Sequence, residues 1–300
     1  MRAMTSAVRQ RRHLDVTPYL LVAPAVALIL LIYVYPIVRV VIDSFLSPTA
    51  ERGTSVGLAN YTFVVNDPVF WKSAGNNVFL LIGVPIMTIL ALVIAVILFD
   101  QIRGWRIYRT LVFTPYILAV PVIGVTFVYL YSYNGIVNEM LRAVGAGGLA
   151  KDWLGNPTLV MPSILSVIIY RELGFGVMLF LARMASIREE LYEAAMIDGA
   201  GWWARLRYIT VPQLRTVITF FVVIELITML SWVFAYVYSM TGGGPAFASS
   251  VLELYIWKYA FAYRAIGIAS AVAVLLLVAT SVFIVVQLLV RGEESDTGEE

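Results

Sequence analysis

Six long apolar stretches constrain this 300-residue chain more than any other feature of its sequence. Each approaches or exceeds the roughly 20 residues that an α-helix needs to cross the hydrocarbon core of a bilayer. Inside hydrocarbon, every backbone N–H and C=O must be satisfied within the segment, so each stretch predicts a transmembrane helix. The predicted spans cover residues 19–41, 78–99, 111–131, 159–182, 216–238 and 265–290.

Composition supports a membrane fold. Only 13% of the residues are charged, about half the share in ordinary soluble domains, and the mean hydropathy is +0.87. We therefore predict an all-α polytopic membrane protein. The apolar core of the first stretch is too long for a signal peptide and no small-residue cleavage site follows, so we expect a retained helix.

Several kinds of chemistry are excluded by residues that are missing. The chain has no Cys, which excludes disulfides and thiolate sites, and its single His, His13, lies in an Arg-rich tail. The spans contain neither paired Asp residues nor a His-Glu-x-x-His zinc helix, so an intramembrane protease is excluded. No Gly-x-x-x-x-Gly-Lys phosphate loop is present either. We expect no enzyme activity, no metal, no cofactor and no nucleic-acid partner for this chain.

The distribution of Lys and Arg predicts the orientation, because cytoplasmic loops are enriched in these residues. With the N-terminus inside, thirteen of the 21 Lys and Arg residues lie in cytoplasmic segments and six lie outside. We therefore expect both termini to be cytoplasmic. The predicted organisation is a tail over 1–17, a single transmembrane domain over 18–290 and an acidic, solvated tail over 291–300.

The loop at 183–215 is polar, yet it has the pattern of a helix, a turn and a second helix. Good helix formers surround Glu193, Gly199 can adopt the positive φ that ends a helix, and Trp202 restarts the apolar periodicity. Two interpretations stay open from this pattern. The element is either an interfacial amphipathic helix or a docking element for a soluble partner.

A motif in this loop resembles the EAA loop of bacterial ABC importer permeases. Its parts are Glu193-Ala194-Ala195, then Gly199 after three residues, and Ile209 and Val211-Pro212 further on. Val211 replaces the usual Leu, an apolar exchange. By this resemblance we expect residues 188–201 to form the coupling helix, with Glu193, Ala194, Ala195, Asp198, Gly199 and Pro212 as coupling residues.

The resemblance covers nearly the whole chain and narrows to the carbohydrate-uptake branch, similar to the maltose and glycerol-3-phosphate importer permeases. Tyr35-Pro36 and Asn60-Tyr61 match near the first span, and Thr241 to Pro245 form the TGGGP signature. The sequence departs from the family pattern at two positions: Ala235 stands where the pattern often has an acidic residue, and Tyr170 stands where it often has Trp. These departures put the exact substrate in doubt, but not the family.

The resemblance implies a type I importer subunit in a bacterial plasma membrane, moving a sugar, polyol or sugar phosphate by alternating access. Its implied partners are a second permease subunit of a different chain, two ATP-binding cassette subunits and an extracytoplasmic solute-binding protein. ATP and Mg²⁺ would be used by the cassette subunits only. Gly242, Gly243, Gly244 and Pro245 would form a loop at the outer mouth, where the solute-binding protein docks.

Polar and aromatic groups at membrane depth are the candidates for a solute path. Ionisable residues there are costly and therefore functional by default, although a structural ion pair, for instance Arg171 with Glu225, is the alternative. Aromatic rings stack on sugar faces, but at span ends they also form interfacial belts. The candidates are Tyr170, Arg171, Glu172, Glu225, Trp232, Tyr236 and Ser239.

An ion-coupled secondary transporter is the alternative function, because buried carboxylates such as Glu225 can bind Na⁺ or H⁺. It predicts inverted repeats, which the sequence does not show, and it leaves the 183–215 loop without a purpose. Uptake that collapses with ATP depletion rather than with an uncoupler distinguishes the two.

Overall fold

The computed structural model describes residues 17–47 and 54–296. His13 and most of the predicted N-terminal tail therefore lie outside the described residues, as does the end of the acidic tail, 297–300. The all-α prediction is confirmed, since every regular element in the described ranges is helical. The helices are α1 Thr17–Ile29, α2 Tyr35–Asp43, α3 Ala59–Asn66, α4 Pro68–Leu80, α5 Gly83–Phe99, α6 Trp105–Ile117, α7 Val120–Leu130, α8 Ile136–Ala143, α9 Val160–Met184, α10 Glu189–Ile197, α11 Trp202–Arg205, α12 Val211–Ser231, α13 Phe234–Met240, α14 Leu252–Trp257 and α15 Ile266–Asp296.

Five continuous helical runs in the described ranges are long and apolar enough to cross a membrane. They cover 20–43, 68–99, 160–184, 202–231 and 266–285. A sixth span is present if the bent pair α6 and α7 is counted as one crossing. The protein is thus polytopic, with the bundle built around α9, against which α5, α6 and α12 pack.

Two of the runs contain a π-helical turn directly before a dipeptide whose second residue is proline. Leu30–Val34 precedes Tyr35-Pro36, and Leu206–Thr210 precedes Val211-Pro212. A proline inside a helix lacks the N–H donor, and its ring clashes with the carbonyl four residues earlier. The wider π turn absorbs this conflict, so the chain from Trp202 enters the fifth span without stopping.

The stretch predicted as the third span is not one straight helix. Its two halves, α6 and α7, meet at 104° across the extended residues Leu118 and Ala119. Pro121 explains the break, because its ring would meet the carbonyl of Ile117 in a continuous helix. The fifth predicted span also breaks, between α12 and α13 at Trp232 and Val233.

Candidate functional site

The helical element predicted from the 183–215 loop is helix α10, a turn and the short helix α11. Gly199 has φ +79° and ends α10 in a Schellman motif, in which the Ala200 N–H donates to the Ala195 carbonyl at 2.8 Å. Glu189 and Glu190 occupy the first turn, where the helix dipole favours acidic residues. The glycine therefore sets the angle at which the chain leaves α10.

Helix α10 keeps one side against the bundle and presents the other outward. Leu191, Tyr192 and Ala195 are half-buried, and the Tyr192 hydroxyl shares a 3.0 Å hydrogen bond with that of Thr210. Glu193, Ala194, Asp198 and Gly199 are exposed, as is Pro212 on the following span. A carboxylate, a methyl side chain and a glycine thus lie on a surface open to another protein.

A cleft of about 480 Å³ lies between α10 and the C-terminal ends of α5 and α9. At its wall the Trp202 indole N–H donates to Asp100 Oδ2 at 2.9 Å, which ties α11 to the end of α5. Arg205 also lines the cleft, and its buried Nε has no hydrogen-bond partner among the described residues. On the α10 side the cleft is lined by Glu189, Tyr192, Glu193 and Met196, so the exposed Glu193 carboxylate borders it.

Three of the solute-path candidates form one cluster at membrane depth. Arg171 Nη1 lies 2.5 Å from Glu172 Oε1, and the buried Tyr236 hydroxyl donates to the same oxygen at 2.7 Å. The guanidinium also lies over the Tyr116 ring, 5.1 Å from its centre. The structure therefore pairs Arg171 with its neighbour Glu172, whereas the ion pair considered from the sequence joined it to Glu225.

Glu225 lies inside the bundle rather than on a path surface. Its side chain is 1% exposed, and its Oε2 has no hydrogen-bond partner in residues 17–47 and 54–296. It lies within electrostatic range of Glu172 and Arg171. In this conformation the carboxyl group is separated from solvent by the helices around it.

The remaining candidates differ in exposure. Trp232 is 73% exposed at the break between α12 and α13, and Tyr170 is 49% exposed, with its ring against Phe127 at 5.4 Å. Ser239 is partly buried, and its hydroxyl donates a hydrogen bond to the Ala235 carbonyl. Trp232 and Tyr170 are thus the candidate aromatic rings available to a molecule outside the chain.

The loop at 241–250 is tightly closed on itself. Gly242 and Gly243 have φ values of +59° and +89°, which side-chain-bearing residues rarely adopt. A Cβ on Gly243 would lie 2.7 Å from Leu254 Cδ2. Thr241 holds the turn through its hydroxyl, which pairs with that of Ser249 at 2.7 Å and accepts from the Gly243 N–H.

Side chains of α4 hold the 241–257 region to the bundle, although neither is among the site residues predicted from the sequence. Asn76 donates to the carbonyls of Ala248 and Ser250 at 2.9 and 2.7 Å, and Asn77 accepts from the Leu252 N–H at 2.9 Å. Asn77 also donates to Glu253 Oε2 at 3.1 Å. Two consecutive Asn residues at the start of an apolar stretch were the available signal, because unpaired amides are costly in a membrane.

Burial raises the pKa of the Glu253 carboxyl to about 7, and the hydrogen bonds from Asn77 and Val233 oppose part of that rise. Nearby, desolvation lowers the pKa of Lys258. Across the described part of the chain, no group of three or more His, Asp or Glu side chains is arranged to hold a metal ion.

Comparison with known proteins finds a matching family and several relatives. The family described as "Binding-protein-dependent transport system inner membrane component" matches residues 72–294. A probable ABC transporter permease protein of Bacillus subtilis, YurN, is 34% identical over 270 residues, covering 88% of this chain and 92% of the relative. The lactose transport system permease protein LacF of Rhizobium radiobacter is 35% identical over 265 residues, covering 87% and 89%.

A solved structure shares the fold. It is a chain from the crystal structure of a bacterial ABC transporter involved in the import of the acidic polysaccharide alginate, with a TM-score of 0.77. The match covers 95% of this chain and 97% of that one, at 23% sequence identity.

Proposed function

This chain belongs to the family of binding-protein-dependent transport system inner membrane components, and from that premise we propose that it carries a sugar, a related polyol or a sugar phosphate across the membrane. It is a membrane permease subunit of an ABC importer and is itself non-catalytic. Transport proceeds by alternating access, in which the solute site opens to one side at a time. Neither the family nor its relatives support the ion-coupled alternative.

The outward face of α10 carries the proposal for coupling. Glu193, Ala194, Asp198 and Gly199 are all exposed on one short cytoplasmic element, whose exit is set by the φ of +79° at Gly199. A short exposed helix with small side chains allows close approach of a partner surface. We assign α10 and its turn, residues 188–201, as the element that docks on the ATPase, with Pro212 directing the chain into the fifth span.

The proposed complex has further members. Two ATP-binding cassette subunits hydrolyse ATP with Mg²⁺, a second permease subunit of a different chain completes the pathway, and an extracytoplasmic solute-binding protein delivers the solute to the 242–245 loop. In the bacterial plasma membrane both termini are cytoplasmic, consistent with the excess of Lys and Arg in the segments on that side. The transmembrane domain covers residues 18–290.

A carbohydrate substrate is supported by the relatives and by the exposed aromatic rings. LacF belongs to a lactose transport system, and a relative from Thermococcus litoralis to a trehalose/maltose system. Trp232 and Tyr170 offer flat apolar faces to the C–H face of a sugar ring. We propose a solute path along these rings and Ser239, with Arg171, Glu172, Glu225 and Tyr236 in the wall behind them.

The test is substrate-stimulated ATP hydrolysis by the reconstituted complex. Gly199→Val forces a β-branched residue to φ +79°, with no other atom near enough to clash. We expect normal insertion and assembly, but an ATPase that no longer responds to substrate. Gly145→Val is the matched control, because Gly145 has φ +80°, equally open surroundings and the same position after a helix, α8.

A panel of sugars, polyols and sugar phosphates presented with the binding protein identifies the solute in the same assay. Full stimulation in the Gly199→Val complex would contradict the coupling role of α10. If no member of the panel stimulates the parent complex, the carbohydrate assignment is wrong.

A further inference from the structure

Two membrane spans are broken, and each break leaves backbone groups without their helical partners. In a continuous helix the Leu118 carbonyl would accept from the Val122 N–H, but that N–H donates to Ala119 instead. At the second break the last regular bond runs from the Trp232 N–H to the Thr228 carbonyl. Unsatisfied backbone groups are tolerated at membrane depth only where protein or water replaces the lost partners.

A charged side chain satisfies the first break. Arg171 Nε, from α9, donates to the Leu118 carbonyl at 3.2 Å, while Nη1 of the same guanidinium is held by Glu172. The arginine reaches the break from 53 residues away in the sequence. Its position is therefore fixed by α9 and not by the helix that it stabilises.

An amide and a carboxylate satisfy the second break. Asn77 Nδ2 lies 3.4 Å from the Met229 carbonyl and 3.5 Å from that of Leu230, and the Val233 N–H donates to Glu253 Oε1 at 3.4 Å. Asn77 and Glu253 are themselves hydrogen-bonded at 3.1 Å. One connected pair therefore holds both the acceptor side and the donor side of this break.

All four replacement bonds are long. They measure 3.2 to 3.5 Å, whereas ordinary N–H···O bonds cluster near 2.9 to 3.0 Å, and hydrogen bonds weaken as they lengthen. Bonds of this length satisfy the freed groups without fixing the two half-helices rigidly. A change of tilt at either break therefore costs less hydrogen-bond energy than it would with bonds of ordinary length, but the bonds still bias the position of the half-helices.

The half-helices that follow the two breaks, α7 and α13, pack tightly on each other. Gly124 of α7 lies so close to α13 that an added Cβ would overlap the Ser239 side chain. In α13, the Tyr236 hydroxyl connects the pair to Glu172, and so to Arg171 at the first break. The α7–α13 pair is thus one packed unit, and a break held by long hydrogen bonds lies at the start of each of its helices.

We propose that the α7–α13 pair is an outer gate that tilts as one body about residues 118–119 and 232–233, with Arg171, Asn77 and Glu253 as the positioning residues that hold the two hinges. We call this gate outer because the proposed orientation places it on the extracytoplasmic side. Its role in ATP-driven transport rests on the proposed function. Arg171 then sets the position of the gate rather than contacting the solute.

The chain has no Cys, so introduced cysteines can carry spin labels at chosen sites in a complex with cysteine-free partners. Tyr129 on α7, Tyr238 on α13 and Leu111 on α6 are exposed, and Ile89 on α5 is an exposed reference. Dipolar spectroscopy would measure pairs of these positions in nanodiscs, without nucleotide and with ATP and vanadate.

In the parent complex, the distances from Ile89 to Tyr129 and to Tyr238 should change together, while the distance between Tyr129 and Tyr238 stays constant. The distance from Ile89 to Leu111, before the break, should change less. Independent movement of Tyr129 and Tyr238, or movement of Leu111 as large as that of Tyr129, would overturn the proposal.

Arg171→Gln removes both the bond to the Leu118 carbonyl and the ion pair with Glu172, so it should shift the ratio of the two gate populations by about tenfold or more, the effect expected when a hydrogen bond to a charged group is lost. Arg142→Gln is the matched control, because Arg142 also donates to a backbone carbonyl, that of Tyr133, but away from either break. Arg171→Lys retains a charged donor and should restore most of the parent ratio, and Glu253→Met at the second hinge carries the test if the Gln complex does not assemble.

Glu253→Met should likewise shift the ratio, whereas Glu253→Gln, which retains one acceptor oxygen for the Val233 N–H and loses the other, should shift it less. If ATP does not change the measured distances in the parent, the proposed coupling fails. The hinge proposal is then tested by comparing the nucleotide-free distance distributions of the parent with those of Arg171→Gln and Glu253→Met. If the parent responds and Arg171→Gln and Glu253→Met give the same distributions as the parent, the hinge proposal alone fails.

Discussion

Replacing Gly174 by Ala tests how closely α6, the first half of the third span, packs on α9. A Cβ at this position would lie 2.6 Å from the Val112 carbonyl oxygen, 3.2 Å from Phe113 Cα and 3.3 Å from Tyr116 Cβ. The first two are backbone atoms of α6, which no side-chain rotation can remove. Helix α6 must therefore move away from α9, which also lengthens the bond between Arg171 and the Leu118 carbonyl.

The expected magnitude combines two opposing effects. Ala is favoured over Gly inside a helix by about 0.5 to 1 kcal/mol, whereas overpacking of a tight contact costs about 1 to 3 kcal/mol. Gly75 supplies a matched control, because it lies inside helix α4 with no other atom within 4 Å of an added Cβ. Gly75→Ala gains the first effect without the second, so Gly174→Ala should be less stable than Gly75→Ala by about 1 to 3 kcal/mol.

The assay is thermal unfolding of the purified chain in detergent, followed by fluorescence-detected size exclusion. A difference of this size corresponds to several degrees in Tm for a chain of this length. Equal Tm values for Gly174→Ala and Gly75→Ala would refute the close backbone contact between α6 and α9.

Three further predictions address the breaks and the outer loop. Pro121→Ala removes the ring that keeps α6 and α7 from joining, so the 104° angle between them should widen and uptake should fall; unchanged uptake would contradict this. Asn76→Ala leaves the Ala248 and Ser250 carbonyls unpaired, at a cost of about 1 to 3 kcal/mol each, so proteolysis of the 241–250 loop should accelerate, whereas Asn66→Ala, which frees only the exposed Thr62 carbonyl, should not change it. Because burial raises the pKa of Glu253 from 4.5 to about 7, the native state binds the proton more tightly than the unfolded state. This contribution to stability is present below pH 4.5 and is lost as the pH rises through 7, so the Tm of the parent minus that of Glu253→Gln should decrease over this range, and a constant difference would contradict the burial of the carboxyl group.

The length and apolar character of the spans could be predicted from the sequence, because a membrane imposes both locally. The helix, turn and helix at 189–205 could be predicted for a similar reason, since Gly199 and Trp202 mark its boundaries. Pro121 was a visible cause for a break in the third span, but the angle of 104° depends on how α7 packs against α13.

The break in the fifth span had no local signal. Neither Gly nor Pro lies between Pro212 and Gly242, and the groups that satisfy the break, Asn77 and Glu253, are distant in the sequence. The partner of Arg171 was missed for a related reason. The sequence analysis considered pairing across helices, whereas Nη1 of the guanidinium pairs with the adjacent Glu172 and Nε donates to the Leu118 carbonyl.

The central claim is that this permease is driven by ATP through a separate cytoplasmic subunit. The most direct measurement is uptake of labelled sugar by proteoliposomes that contain the full complex and its binding protein, with no ion gradient imposed. We predict uptake that requires ATP on the cytoplasmic side and that persists when ionophores dissipate every gradient. Uptake that proceeds without ATP and collapses with the ionophores would contradict the account.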